Sequence, residues 1–253
     1  MPENGTITTN IDNNIGTIEF YHPKGNSLPG KMLRELAKTI TEVGDNPNVH
    51  VVVLKSRGEG AFCAGASFDE LIAIDNYEEG KHFFMGFALV LNAMRRCPKL
   101  TVVRVQGKTV GGGVGVASAG DYTIAHQSAS IKLSELALGI GPFVVGPAVR
   151  RKVGTSAFSA LSVDASKWYD AEWAREKGLF SKVCETHDEL DQEVKKLAGQ
   201  LSEYSPEAMK ELKHVLWKET GDWNTLLEER AEISGRLVLS DFTKNFIKEF
   251  KNS

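Results

Sequence analysis

Two glycine-rich turns are the parts of this sequence best suited to chemistry. The stretch GGGVG at residues 111–115 follows an apolar run, and the stretch AFCAGASF at residues 61–68 follows another. Each turn leads into a predicted short helix, whose first N–H groups lack intrahelical partners and carry a partial positive charge. Because glycine lets a ligand come close to the backbone, two such turns could direct two N–H groups at one oxygen atom. The pattern predicts a site for an anion, or for an oxyanion that develops during a reaction.

The glycine triplet also has a purely structural explanation. A helix that crosses another element closely in a tight core needs residues without side chains at the crossing point. Taken alone, the triplet at 111–113 fits either explanation equally well. The second turn favours the functional one, because it repeats the arrangement of buried strand, small residues and helix.

The elements that position these turns follow from hydrophobic periodicity. A hairpin is predicted around residues 12–14, and the continuous apolar runs at 49–54 and 101–106 are typical of strands buried on both faces. Further predicted strands are 122–125 and 130–133, and predicted helices are 31–44, 78–95, a short one after the glycines, 144–153, 170–177, 187–204, 206–219 and 223–251. The order indicates β-β-α units followed by a helical tail.

Composition bounds the function. The chain has 253 residues and a net charge of −3, which argues against non-specific binding to nucleic acid. We expect no membrane span, since no apolar run approaches the roughly 20 residues that one requires. The first ten residues lack the basic and apolar regions of a signal peptide. Three cysteines without a CxxC pair indicate reduced thiols, so we expect a cytoplasmic protein. The six histidines show no HExxH or other metal-binding spacing, so we expect no metal site.

Four segments, in order along the chain, resemble the signatures of the crotonase family, the enoyl-CoA hydratases and isomerases. The first resembles F-x-A-G-A-D-hydrophobic-x-E, and the second resembles GGG-x-E followed by Gly-Asp and a strand. The four segments are Phe62–Glu70, Gly111–Gly115 with Gly120–Tyr122, Ser134–Gly139 with Pro142 and Val149–Gly154, and Asp170–Ala171 with Gly178–Val183. The resemblance extends from about Ile15 to the end of the chain.

The resemblance implies an α/β protein with the crotonase (ClpP/crotonase-like) fold, a spiral of repeated β-β-α units with a C-terminal helical region. We expect a spiral core over residues 1–190 and a helical trimerisation or lid region over residues 191–253. The protein is expected to assemble as a homotrimer or homohexamer. The implied substrate is an acyl-CoA thioester, and no cofactor is expected beyond the coenzyme A that the substrate carries.

The resemblance also implies a set of site residues. The N–H groups of Ala66 and Gly112 are expected to form an oxyanion hole for the thioester carbonyl. Residues expected to bind the substrate or its CoA moiety are Lys24, Leu28, Ala64, Gly65, Ser67, Phe68, Gly111, Pro142 and Phe143. Lys24 either meets a CoA phosphate or is simply solvated, and Ser67 stands where the family signature has aspartate.

One departure concerns the catalytic carboxylates. Many family hydratases place a glutamate two residues after the glycine triplet, where this chain has Gly115, whereas the second family glutamate is matched by Glu135. Glu135 is therefore the expected proton-transfer residue, although a glutamate capping a short helix would look the same in sequence. One carboxylate suffices to move a proton between carbons, as in the family's isomerases. We place hydration ahead, because residues 134–149 resemble the branch that includes methylglutaconyl-CoA hydratases.

Two further questions remain open at the level of sequence. Either an acyl pocket or ordinary core packing explains a group of apolar residues, namely Tyr77, Phe83, Phe84, Phe87, Phe143 and Val144. The loss of a carboxylate at Gly115 also suits a rival of another class, a non-catalytic CoA-binding or scaffold protein with the same fold. The joint presence of Glu135, Ala66 and Gly112 argues against that rival.

Overall fold

Two β-sheets and a set of helices make up the structure, a computed structural model that describes residues 5–252. The strands are β1 (Thr6–Asp12), β2 (Ile15–Tyr21), β3 (Val51–Ser56), β4 (Leu100–Val105), β5 (Thr109–Val110), β6 (Tyr122–His126), β7 (Ser130–Lys132), β8 (Tyr169–Asp170) and β9 (Lys182–Cys184). The helices are α1 (Gly30–Asp45), α2 (Phe68–Ile72), α3 (Tyr77–Arg96), α4 (Gly112–Ala119), α5 (Gly146–Val163), α6 (Ala171–Glu176), α7 (His187–Ser202), α8 (Pro206–Leu216), α9 (Trp223–Leu237) and α10 (Asp241–Asn252).

The larger sheet has the strand order β1-β2-β3-β4-β6-β9, with an antiparallel first pair and parallel pairs thereafter. The predicted hairpin is confirmed, because Asn13 and Asn14 adopt the positive φ angles of 48° and 62° that a tight turn between twisted strands requires. The runs of Val51–Leu54 and Leu100–Val105 are buried, as expected for strands covered on both faces. The smaller sheet has the order β5-β7-β8.

The predicted β-β-α repeat is visible in how the chain alternates between the two sheets. β4 lies in the larger sheet, β5 in the smaller one, and α4 follows; β6, β7 and α5 repeat the same order. Each repeat therefore begins in the larger sheet and crosses to the smaller one before its helix. This crossing brings the ends of several repeats together at one place.

Helices cover both faces of the larger sheet. On one face, Leu190, Val194 and Ala198 of α7 pack against valines of β3 and β4. On the other, α1 contributes Leu33, Leu36 and Ile40 to the main core. α3 and α9 cross so closely that a Cβ atom at Gly80 would lie 2.7 Å from the carbonyl oxygen of Gly235, which explains glycine at both positions.

The structure corrects the sequence prediction for the C-terminal helices. The single helix predicted over 223–251 is wrong, because the chain breaks between α9 and α10 and the Thr243 N–H donates to the Ser240 hydroxyl at 3.3 Å as the new helix starts. The helix predicted over 144–153 is too short, because α5 continues to Val163 across a non-helical Gly154. Strands β5, β8 and β9, at two or three residues each, are too short for periodicity to reveal.

The predicted division into units at residues 190 and 191 falls inside α7. This helix packs on the larger sheet, and the helices that follow it begin with α8. The division into a core and a C-terminal trimerisation or lid region stays a prediction. Residues 1–4 of the first predicted unit and Ser253 of the second lie outside the described residues.

Candidate active site

The two glycine-rich turns lie side by side because the segment around residue 63 pairs on both sides. On one side, the Phe62 N–H donates to the Lys108 carbonyl and the Val110 N–H donates to the Cys63 carbonyl, both at 2.9 Å. On the other side, the segment pairs with Leu28 through Gly65 and Ser67. A Cβ atom at Gly65 would lie only 3.9 Å from the nitrogen of Gly112. The two predicted N–H groups therefore belong to neighbouring stretches of backbone.

Neither of these two N–H groups donates to another described residue. The Leu28 N–H donates to the Gly65 carbonyl at 2.8 Å and the Ser67 N–H donates to the Leu28 carbonyl at 3.2 Å, so the Ala66 N–H points away from Leu28. Gly112 is the first residue of α4, where an N–H has no partner within the helix. Both residues line the same cavity. Two backbone N–H groups without a described partner thus belong to residues that line one cavity, and their role as an oxyanion hole stays a prediction.

Glycine is required at the turn before each donor. Gly65 and Gly111 have φ angles of 91° and 51°, values that residues with a Cβ atom rarely adopt. At Gly111 a Cβ atom would also lie 3.0 Å from Oε1 of Glu135, closer than ordinary van der Waals contact. Both the packing explanation and the functional explanation of the glycine triplet therefore apply. Gly113 packs tightly against Cys63, and Gly111 leaves room for the Glu135 carboxylate.

The cavity has a volume of about 430 Å³ and is mostly apolar. Its lining includes residues of both turns, the segment 132–145, and side chains of α9 and α10 that close one end, namely Ser234 and Phe246. α10 is held there because the Thr243 hydroxyl donates to the Leu138 carbonyl at 2.9 Å. A pocket of this size, with few polar groups, suits a small acyl chain.

Glu135 is the one carboxylate that lines this cavity among the described residues. Its Oε2 atom is buried and has no hydrogen-bond partner within residues 5–249. Burial raises the pKa of the Glu135 carboxyl to about 7, an effect that a hydrogen bond from its own backbone N–H partly offsets. A carboxyl with a pKa near 7 can both accept and donate a proton at neutral pH.

Val145 occupies the space beside Gly115, the position where many family hydratases have a glutamate. A Cβ atom at Gly115 would lie 2.6 Å from Cγ1 and 2.9 Å from Cβ of Val145, so a larger residue cannot be placed there without moving Val145. Val145 is buried and also lines the cavity. The site thus has valine where a second carboxylate would have to enter.

Most residues predicted to bind substrate lie at this cavity. The predicted residues that line it are Ala64, Gly65, Ala66, Ser67, Phe68, Gly111, Gly112, Glu135, Pro142 and Phe143. Leu28 and Lys24 do not line it: the Leu28 side chain is fully buried and its backbone holds Ala66, while Lys24 is exposed and forms an ion pair with Asp69. The binding roles assigned to individual residues stay predictions.

The aromatic residues of α3 divide into two groups. Phe83, Phe84 and Phe87 line the cavity, whereas Tyr77 is 39% exposed and lies outside it. Phe87 also explains glycine at position 112, because a Cβ atom there would lie 2.2 Å from its ring. Three of the four aromatic residues of α3 therefore lie where the acyl-pocket interpretation requires them.

Sequence reasoning missed a group of polar residues on the cavity wall. Lys132 and Ser134 alternate with Ile131 and Leu133, which are buried in the core. That alternation is a visible strand signal, since successive side chains point to opposite faces. This alternation could have predicted that Lys132 and Ser134 point away from the core and therefore line the cavity.

Three further expectations concern a metal site, a membrane-spanning helix and the cysteines. Across the described part of the chain, no group of three histidine, cysteine, aspartate or glutamate side chains is arranged to hold a metal ion. None of the described helices is both long and apolar enough to cross a membrane. The three cysteines are buried and free, in line with the predicted reduced thiols.

Comparison with known proteins identifies the class. The family model described as Enoyl-CoA hydratase/isomerase matches residues 10–249. The chain is 31% identical over 166 residues to the (7aS)-7a-methyl-1,5-dioxo-2,3,5,6,7,7a-hexahydro-1H-indene-carboxyl-CoA hydrolase of Rhodococcus jostii (strain RHA1), covering 64% of each. It is 29% identical over 183 residues to the mitochondrial methylglutaconyl-CoA hydratase of Homo sapiens, covering 72% of this chain and 53% of that protein.

The fold agrees with a solved structure. The enoyl-CoA hydratase of Bacillus halodurans superposes with a TM-score of 0.87 at 22% identity, over 96% of this chain and 99% of that one. This chain belongs to the enoyl-CoA hydratase/isomerase family and has the crotonase fold. The predicted fold class and family are confirmed. The two curated relatives differ in the reaction that their names state, so membership leaves the reaction itself open.

Proposed function

We propose that this protein adds water to the double bond of a 2-enoyl-CoA thioester. The observation that carries the proposal is the place of Glu135. Its carboxylate lies against Gly111, the residue before Gly112, and the cavity that it lines is also lined by Gly112 and Ala66, whose N–H groups have no described partner. An acyl group whose carbonyl oxygen meets these two donors has its adjacent carbons within reach of one titratable group.

The proposed reaction proceeds through an enolate. A water oxygen forms a bond to C3 while the C2–C3 π electrons move towards the thioester oxygen, and Glu135 accepts a proton from that water. The N–H groups of Ala66 and Gly112 stabilise the negative oxygen, and removing one such donor typically costs roughly 3–4 kcal/mol of transition-state stabilisation. Glu135 then returns its proton to C2. A carboxyl whose pKa is about 7 suits both halves of this cycle.

Double-bond isomerisation is the second candidate, and Gly115 favours it. Two carboxylates hold and activate a water readily, but here Val145 occupies the space beside Gly115. A single Glu135 could instead take a proton from C2 of a 3-enoyl-CoA and deliver it to C4. We place hydration first because residues 134–149 resemble the hydratase branch and a methylglutaconyl-CoA hydratase is among the relatives.

The same reasoning extends to substrate, cofactor and assembly. The acyl group is proposed to be small and to resemble those handled by the methylglutaconyl-CoA branch. Charge stabilisation and one proton shuttle suffice for the reaction, so the proposal needs no cofactor apart from the CoA of the substrate. A homotrimer or homohexamer in the cytoplasm remains the proposed form. A mass measurement in solution tests the assembly directly.

Product analysis tests the function. Wild type, Glu135→Gln and the exposed control Glu211→Gln are each incubated with crotonyl-CoA and with 3-hexenoyl-CoA. Products are separated by chromatography and identified by mass, which detects added water, and by the absorbance of the conjugated 2-enoyl thioester, which detects a shifted double bond. We expect a hydroxyacyl product from crotonyl-CoA. The Gln variant at 135 should lower kcat/KM by roughly 100- to 10,000-fold, the usual worth of general acid–base help, whereas the control should match wild type.

The other outcomes are equally informative. A shifted double bond without gain of water would replace hydration by isomerisation. Hydration that survives unchanged in Glu135→Gln would remove Glu135 from the mechanism. Binding of CoA esters without turnover of either substrate would favour the non-catalytic CoA-binding protein with this fold.

A further inference from the structure

One fully buried hydroxyl lines the cavity without a hydrogen-bond partner. Of the serines in the lining, Ser67 caps α2, Ser166 donates to Asp164 at 3.3 Å, and Ser134 is partly exposed. Ser234 of α9 differs, because it is only 1% exposed and its hydroxyl forms no hydrogen bond with any residue that the structure describes. A buried hydroxyl without a partner is unfavourable, so this one requires an explanation.

Other buried hydroxyls do not share this combination of features. Ser202 is 5% exposed and donates to a carbonyl of its own helix at 2.8 Å, and the fully buried Thr243 donates to the Leu138 carbonyl at 2.9 Å. The hydroxyl of Ser118 also lacks a partner, but it does not line the cavity. Among the hydroxyls of residues 5–249, that of Ser234 is the one that is fully buried, unpartnered and on the cavity wall.

Ser234 lies at the end of the cavity away from the predicted oxyanion donors. A Cβ atom at Gly235, the next residue, would lie 2.6 Å from the nitrogen of Lys81, near the start of α3. A Cβ atom at Gly112 would instead lie 2.2 Å from the ring of Phe87, further along the same helix. The helix rises about 9 Å between these two contacts, at roughly 1.5 Å per residue. The length of the cavity therefore separates Ser234 from Gly112.

The surroundings of Ser234 are apolar. Leu71, Phe83 and Ile140 line the cavity and pack in one cluster with Val238. Val238 follows Ser234 by one helical turn, and its N–H donates to the Ser234 carbonyl at 3.0 Å. The serine hydroxyl is thus a single polar group in an apolar part of the wall, an arrangement that fixes the orientation of a bound ligand.

The charged residues of the lining lie at the other end. Within the described chain these are Lys132 and Glu135. The Gly111 N–H donates to the Lys132 carbonyl at 2.9 Å, and a Cβ atom at Gly111 would lie 3.0 Å from Oε1 of Glu135. A charged ligand group beside Ser234 would therefore be buried without a counter-charge, which is strongly unfavourable. An uncharged oxygen avoids that cost.

We propose that Ser234 is a specificity-determining residue that forms a hydrogen bond with an uncharged oxygen near the far end of the acyl chain. The substrate class is then an acyl-CoA whose chain carries a hydroxyl or keto oxygen there, in place of a methyl group or a carboxylate. A plain chain that fills this end leaves the serine hydroxyl unpaired, whereas an oxygen-bearing chain satisfies it. This inference rests on the proposed function, because it assumes that the thioester oxygen meets the N–H groups of Ala66 and Gly112.

Binding of saturated esters, which cannot be hydrated, tests the proposal. 6-Hydroxyhexanoyl-CoA and heptanoyl-CoA have chains of equal length that end in a hydroxyl and a methyl group, whereas the chain of butyryl-CoA is too short to reach Ser234. Dissociation constants are measured by calorimetry for wild type, Ser234→Ala and the matched control Ser202→Ala. The control removes a buried helical hydroxyl that has a partner within α7 and lies outside the cavity lining.

We expect wild type to bind the hydroxylated ester at least as tightly as heptanoyl-CoA. Ser234→Ala should raise the Kd for the hydroxylated ester, relative to that for heptanoyl-CoA, by about tenfold, as for a lost hydrogen bond between uncharged groups. Binding of butyryl-CoA should stay unchanged, which shows that the Ala variant is folded. Ser202→Ala should keep the wild-type ratio of the two constants.

Three results would overturn the proposal. An unchanged ratio in Ser234→Ala would show that the hydroxyl meets no ligand oxygen. Equal weakening of all three esters in that variant would assign Ser234 a purely structural role. A tenfold preference of wild type for heptanoyl-CoA would show that this end of the cavity selects against oxygen.

The proposed hydration is tested separately by turnover of crotonyl-CoA, whose chain is too short to reach Ser234. Turnover by wild type would leave the hydration standing if the inference about Ser234 fails. Failure of wild type to bind any of the esters would end both proposals.

Discussion

The cavity has two walls built on different principles. The backbone wall, residues 64–67 and 110–112, presents N–H groups and is paired to neighbouring chain on both sides. The side-chain wall, residues 132–145, presents Lys132, Ser134, Glu135 and Val145. In the proposed function, the backbone wall stabilises a thioester oxyanion, while the side-chain wall selects the reaction and the acyl group.

The comparison predicts that the backbone wall tolerates no side chain at Gly112. Gly112→Ala would place a methyl group 2.2 Å from the Phe87 ring, so either the ring or the N–H donor must move. We expect a loss of roughly 100- to 1,000-fold in kcat, as for removal of an oxyanion donor, and a loss of about 1–3 kcal/mol in the free energy of unfolding. Steady-state kinetics and urea unfolding measure the two effects.

Gly199→Ala provides the control for Gly112→Ala. Gly199 lies in α7, and a Cβ atom there would meet nothing within 4 Å. We expect that variant to be fully active and equal or slightly superior to wild type in stability. Full activity of Gly112→Ala would mean that the donor at this turn is not needed, and the distinction between the two walls would fail.

The second prediction concerns the stability cost of an ionised Glu135. Its pKa is raised from 4.5 to about 7 in the folded protein, so the folded state holds this proton more tightly than the unfolded state. The resulting stabilisation is present below pH 4.5 and is lost as pH rises to about 7. Linkage puts the difference at about 3 kcal/mol.

Glu135→Gln removes this dependence. Relative to wild type, the Gln variant should gain stability between pH 5 and pH 8, by up to about 3 kcal/mol, with little gain below pH 4.5. Urea unfolding of both proteins across this range measures the difference. A difference that stays constant with pH would mean that the carboxyl of Glu135 is solvated in solution.

The third prediction sharpens the role of Val145. Gly115→Glu alone should destabilise the protein, because even its Cβ atom would contact Val145. Gly115→Glu with Val145→Gly removes both contacts and admits a second carboxylate to the cavity wall. We expect the double variant to favour hydration over isomerisation by about tenfold relative to wild type.

Product ratios from 3-hexenoyl-CoA and crotonyl-CoA measure this change. Val145→Gly alone serves as the control, since it enlarges the cavity without adding a carboxylate. If the control shifts the ratio as far as the double variant does, space rather than the second carboxylate controls the outcome. The side-chain wall would then act through its shape.

The sequence predicts the backbone wall better than the side-chain wall, and the reason is physical. Glycines at 65 and 111–113 follow buried strands, so local pattern already indicates two exposed backbone turns. The contact between Gly115 and Val145 joins two segments that meet only in the folded chain. Lys132, by contrast, could have been placed from sequence, because it alternates with the buried Ile131 and Leu133. The assignment of Glu135 needed the family resemblance, since nothing local distinguishes it from a capping glutamate.

The smallest effect is expected outside both walls, at Lys24. Its ion pair with Asp69 is 66% exposed on each side, and such pairs contribute little to stability. If Lys24 meets a CoA phosphate, Lys24→Ala should raise KM about threefold at low salt without changing kcat, and the effect should fade at high salt. Asp69→Asn should lower KM, because it releases the ammonium from its carboxylate partner. An unchanged KM in both variants would identify Lys24 as a solvated lysine and confine recognition of the substrate to the cavity itself.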